Sequence, residues 1–105
     1  MRVYIDEDVN PRIQRFLPGH TFGTPKSMGF SGLSNGRLLA HLDLEFDVLI
    51  THDQNMQFQQ NLANTRLRII VLAIKGRHLS DYELLAPSIA LAIDSAEPGT
   101  CSVVP

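Results

Sequence analysis

The chain has one cysteine, no tryptophan, no large charge excess and no long apolar run. Each shortage narrows what the protein can be. Cys101 has no second cysteine to pair with, so the fold must rest on its core, and a reducing compartment suits it. No stretch approaches the ~18 consecutive apolar residues of a membrane helix, and the first residues do not read as a signal peptide. We therefore expect a cytoplasmic protein with no membrane partner. Nine Lys and Arg against eleven Asp and Glu leave a formal net charge of −2. That is too little positive charge for a tight, sequence-blind grip on nucleic acid. An enzyme acting on nucleic acid stays open, because bound divalent cations reverse the local field. The glycines from Gly23 to Gly32 are not followed by Gly-Lys-Ser/Thr, and no Gly-x-Gly-x-x-Gly follows the first strand. Both gaps argue against nucleotide-cofactor folds.

What is present is an ordinary globular balance, 44% apolar and 19% charged over 105 residues. It predicts a single domain, 1–105, with its own core. Val3-Tyr-Ile5 is a β-branched and aromatic run that reads as a buried strand. It ends on three acids, Asp6, Glu7 and Asp8, and Asn10-Pro11 then supplies a cap and first turn for a helix carrying Ile13, Phe16 and Leu17. Pro18-Gly19 stops that helix; residues 20–23 make a weak second strand and 24–33 a loop. Ser34 caps a helix with Leu38, Leu39 and Leu42 on one face. Asp47 to Thr51 is a second firm strand, with His52 and Asp53 at its tip. Residues 54–64 predict a helix anchored by Met56, Phe58 and Leu62. Leu67 to Ile74 is a near-continuous apolar strand, of the kind buried on both faces. After the basic turn Lys75 to His78, Ser80 and Glu83 form a capping-box signature, and Pro87 is expected to kink or split the helix that follows. Residues 101–104 add a last strand. The alternation predicts an α/β fold, a three-layer α/β/α sandwich on a mainly parallel sheet of four or five strands.

Two strand tips in such a sheet, at Asp6 and Asp53, fall on one edge, where open α/β sheets bind ligands. Neighbouring carboxylates repel unless one is protonated or a cation sits between them. An oxygen-lined pocket of this kind suits Mg²⁺ or Mn²⁺, which can activate a water against a phosphodiester. Asp8 and Asp53 have an equally good bland explanation as turn and cap residues. Asp6 is harder to explain away, because Asn10 already caps the helix. His20, His41 and His78 are scattered and read as surface or packing residues, and Cys101 as inert. For His52 a solvent-facing position is the simplest reading. An acidic cluster after strand one with an Asp after a later strand also describes a receiver-like signalling domain, but no Lys-Pro follows the last strand.

Tyr4-Ile-Asp-Glu-Asp8 with Asn10-Pro11, then Gly29-Phe-Ser-Gly-Leu-Ser-Asn35, then Val48-Leu-Ile-Thr-His-Asp-Gln-Asn55, resemble the small PIN-like proteins of the DUF5615 family. The resemblance spans nearly the whole chain. It implies a metal-dependent ribonuclease, plausible as the toxin of a toxin–antitoxin pair, with RNA as substrate, a small antitoxin as partner and homo-oligomers among its forms. Carried over, Asp6, Glu7 and Asp53 are the catalytic acids, and Asp6, Asp53, Asp8 and Asn55 the ligands of Mg²⁺ or Mn²⁺. Thr51, which would orient the second strand tip or contact a phosphate, is assigned to substrate with His52, Asn35 and Arg12. The departures are chemical. Asn35 and Asn55 stand where relatives carry Asp, Met56 where they carry Phe, and Asp8 where they commonly carry Asn. Two lost charges weaken a site for hard cations, so a degenerate PIN-like binding module without nuclease activity is the alternative.

Overall fold

The computed structural model describes residues 1–30, 32–58 and 64–105. Five strands, β1 (Arg2–Ile5), β2 (Thr21–Gly23), β3 (Val48–Thr51), β4 (Arg68–Leu72) and β5 (Thr100–Val104), form one sheet in the order β2-β1-β3-β4-β5. All four pairings are parallel. The chain first builds outward from β1 to β2. It then returns past β1 to lay β3 on the other side and continues to β5. The winding direction therefore reverses between β1 and β3, and at such a point the loops beyond the strand ends part to leave a crevice.

Successive side chains of a strand point to opposite faces, and here they enter two separate cores. Val3, Ile5, Val48, Ile50, Ile70 and Leu72 join Ile13 and Leu17, from the 3-10 helix Pro11–Phe16 and its C-cap, and Tyr82, Ile89 and Ile93. Tyr4, Leu49, Ile69 and Val71 join Leu38, Leu39, Leu42, Phe46 and Met56. Apolar residues on both faces explain why β3 and β4 read as unbroken hydrophobic runs.

Among the described residues the sheet is joined by the α-helices α1 (Pro25–Met28), α2 (Asn35–Glu45) and α3 (Leu79–Ser95). The first corrects the expected loop over 24–33. Thr24 accepts the Ser27 backbone N–H, the Ser27 hydroxyl accepts the Thr24 backbone N–H, and Pro25 occupies the first turn. Gly29, at φ 72°, ends that turn in a left-handed conformation that glycine adopts without strain. Gly23 is needed for space instead, since a Cβ there would lie 2.5 Å from the Phe46 ring.

Two other expectations shift. The helix foreseen after Asp53 is a 3-10 turn, Gln54–Phe58, in which Met56 is fully buried but Phe58 is 74% exposed and anchors nothing. The rest of that expected helix up to residue 63, Leu62 included, lies outside the described residues, as does Ser31. Helix α3 begins at Leu79, ahead of the Ser80 signature, because Asp81 accepts the His78 backbone N–H (2.9 Å). Pro87 does not split it; the helix is continuous for 17 residues. Proline leaves the carbonyl four residues earlier without its usual donor, and both Pro87 and Glu83 are exposed, so water can serve that carbonyl.

Among the described residues, the Tyr4 hydroxyl is the one buried side-chain polar atom without a hydrogen-bond partner. Its ring packs edge-on against Phe46. Burial pushes its ionisation well above the ordinary range, and the charges of Asp6 and Glu7 push it further. An orphaned buried hydroxyl costs about 1–3 kcal/mol. Tyr4→Phe is therefore expected to raise the urea midpoint by the equivalent of about 1 kcal/mol with an unchanged slope. A lowered midpoint would mean that the hydroxyl has a partner.

Candidate active site at the carboxyl ends of β1 and β3

The parallel pairing of β1 with β3 runs one residue past β1, because the Asp6 N–H bonds to the Ile50 carbonyl (3.0 Å). That single extra rung sets the Asp6 side chain beside Thr51. The Thr51 hydroxyl donates to Asp6 Oδ2 (2.8 Å) and accepts the Asp53 backbone N–H (3.1 Å). One buried hydroxyl thus ties the acid after β1 to the residue after β3. The other Asp6 oxygen accepts the Glu7 N–H (2.9 Å). Asp8 joins the same edge, its Oδ1 accepting the His52 N–H (3.2 Å).

Thr51 and His52, 0% and 6% exposed, are the buried polar residues of the described chain. They are consecutive, and both bond to acids of the segment after β1. Buried polar groups are stable only when hydrogen-bonded, and each of these is. The His52 ring corrects the solvent-facing expectation. Its Nδ1 lies 3.0 Å from the Leu72 carbonyl and its Nε2 2.7 Å from the Tyr82 hydroxyl. A carbonyl can only accept, so Nδ1 carries the proton, and Tyr82 donates to Nε2. The Tyr82 oxygen in turn accepts the Asn10 N–H (3.4 Å). Neither ring nitrogen is left for a substrate, and the imidazole instead joins β3, β4, α3 and the turn after the acids. Nor does Thr51 face solvent; its hydroxyl orients the strand tip.

The remaining candidates are spread along the rim. Asp53 Oδ1 accepts the Asn55 backbone N–H (2.9 Å), which is the local capping role its sequence position allows. Asn55 is exposed on the 3-10 turn. Asn10 Oδ1 accepts the Arg12 N–H (3.0 Å), and Arg12 is exposed. Asn35 opens α2. Sequence reasoning missed Tyr82 altogether. An isolated tyrosine on the apolar face of a helix carries no local signal of a polar partner in another element.

Burial raises the Asp6 pKa, the Thr51 hydrogen bond opposes the rise, and the Asp8 and Glu7 charges add to it. Burial lowers that of His52, with the Arg77 charge adding to the fall against the Leu72 hydrogen bond. Among the described residues no group of three or more His, Cys, Asp or Glu is gathered so as to hold a metal ion. A carboxylate has about four lone-pair sites, and Asp6 uses one on each oxygen for the bonds described. A cation held there would have to take one or two carboxylates and keep most of its water, as Mg²⁺ can. The site does not fit one that needs a closed protein cage. Compared with known proteins, the chain matches no family model, no curated protein and no solved structure.

Removing the Thr51 hydroxyl takes an acceptor from the Asp53 N–H and a donor from Asp6. Thr51→Val should lower stability by about 1–3 kcal/mol, and Thr51→Ser should recover most of it, as read from urea unfolding. The pH dependence follows from His52. Its native pKa lies below the unfolded value of about 6.5, so the neutral ring contributes stability that is complete above that pH and fades below it. Asp6, raised in the native state, acts with the opposite sign at lower pH. With chelator present, thermal midpoints should fall between about pH 7 and 5.5, and His52→Gln should flatten that fall. An equal fall in the variant would assign it to another group.

Proposed function

We propose that the protein is a Mg²⁺- or Mn²⁺-dependent phosphodiesterase acting on RNA, on a three-layer α/β/α domain of PIN-like type. The observation that supports this most is the Thr51 hydroxyl held between Asp6 and the Asp53 backbone. It brings two strand tips together at the reversal of winding, where doubly wound sheets bind ligands.

In this reading Asp6 and Asp53 hold the cation, with Asp8 and Asn55 at its margin and Glu7 beside Asp6. A bound cation would make water a competent nucleophile at neutral pH and neutralise charge on the phosphoryl oxygens. The chain's own part is positional. Thr51 fixes the Asp6 carboxyl, which burial alone would push towards its protonated, non-ligating form. His52 holds Asp8 through its backbone N–H. Arg12, exposed on the 3-10 helix that follows the acids, would contact a phosphate. The toxin role, with a small antitoxin as partner, belongs to the same proposal and rests on the residues that resemble the PIN-like family.

Asp6→Ala and Asp53→Ala are each expected to reduce cleavage of single-stranded RNA to background and to relieve any growth arrest on expression. Chelator should do the same to the parent chain. Cleavage that survives both substitutions, or survives chelation, ends the proposal.

A second reading, a PIN-like binding module without nuclease activity, draws on a specific observation. No three-ligand group is assembled among the described residues, and Asn35 and Asn55 supply amides in place of carboxylates. Calorimetry with Mn²⁺ separates the two: no heat at millimolar metal favours the module.

A further inference from the structure

A cavity of about 270 Å³ opens beside the acid cluster, between the ends of β1 and β2. Val9, Pro11 and Pro25 give it apolar walls, while Asp6, Glu7 and Lys26 bring charge to it. Its volume lies just under the ~300 Å³ at which pockets for drug-sized ligands begin. That is the size of a site for a single small ligand. The Thr24–Ser27 cap holds Pro25 and Lys26 on the far side from the acids. Asp6 belongs to both places, lining the cavity and accepting the Thr51 hydroxyl.

We propose that this cavity is a ribonucleoside subsite, seating one base between Val9 and the rings of Pro11 and Pro25, with Glu7 accepting from the ribose hydroxyls and Lys26 meeting the adjoining phosphate. The inference rests on the phosphodiesterase reading and adds to it where the substrate sits. A wholly apolar ligand would cover the Glu7 carboxylate and the Lys26 ammonium with nothing to pair them, which is costly. A bare phosphate would meet two carboxylates against one lysine. A ribonucleoside satisfies all the walls, because its base faces are apolar and its 2′-hydroxyl donates. Acidic side chains take that hydroxyl in dinucleotide sites, and it is the group by which proteins tell RNA from DNA. With the base in the cavity and one phosphate at Lys26, the phosphate on the other side of the ribose falls next to Asp6, at the boundary with the β1–β3 crevice.

The test is a titration of the ¹⁵N-labelled full chain with adenosine monophosphate, its 2′-deoxy analogue and inorganic phosphate, read from amide shifts. Adenosine monophosphate is expected to move residues 5–9 and 24–26, to bind about fivefold or more tightly than the deoxy analogue, and to lose its effect in Lys26→Glu. Lys26 is exposed, so the variant should keep the parent spectrum elsewhere. Equal shifts from inorganic phosphate, equal affinity for the two nucleotides, or no shift in those segments each overturn the subsite. So does a short arginine-containing peptide that binds there when the nucleotide does not. Mn²⁺-dependent cleavage is measured on the same preparation. Cleavage without nucleoside shifts removes the subsite and leaves the phosphodiesterase; shifts without cleavage do the reverse.

Discussion

The arrangement at the sheet edge depends on one hydroxyl in a place where hydroxyls are costly. Thr51 is fully buried at the end of a strand whose other residues are apolar. A valine would fill that space without needing a hydrogen-bond partner. The hydroxyl is held because it has a partner on each side, the Asp6 carboxyl and the Asp53 N–H. Its energetic return is modest, since a typical hydrogen bond contributes about 1 kcal/mol net. Its geometric return is larger. Two acids 47 residues apart in sequence share a fixed origin, and the burial that makes the bond rigid also raises the Asp6 pKa.

His52 extends the same logic from two elements to four. Its ring serves the β4 carbonyl of Leu72 on one side and Tyr82 of α3 on the other, while its backbone serves Asp8. The acid turn is thus braced from below by a neutral imidazole whose tautomer is dictated by a carbonyl. This is a polar network with every member satisfied, and such networks specify a unique arrangement where a partly satisfied one would not. Tyr4, on the other face, is the contrast: a phenol of similar depth with nothing to hold.

Much of this could be read from residues alone, and what could not has a physical reason. The strands were legible because burial on both faces leaves unbroken apolar runs, as in Val48 to Ile50 and Ile69 to Leu72. The convergence of Asp6 and Asp53 was legible because parallel strands send their carboxyl ends to one side. The turn at Pro25 was hidden, because proline and glycine read as a loop unless the Thr24–Ser27 pair is recognised as a reciprocal cap. Phe58 misled for the opposite reason: its spacing suited a helix face, but the chain makes a 3-10 turn there and the ring points outward. His52 and Tyr82 escaped because their partners lie 20 to 72 residues away, and no local pattern encodes that.

Gly23 carries a last consequence. The Phe46 ring occupies the space where any side chain at that position would begin. That ring is itself held by Tyr4 on its edge and by the Arg2 guanidinium over its face, 5.2 Å from the centroid. Retreat of the ring would disturb β1, which carries both of them. Position 23 therefore admits a one-letter alphabet, enforced by neighbours and not by backbone torsion. Drift at Phe46 towards a smaller residue would be the event that reopens it, which couples the histories of two sites that share no polar contact.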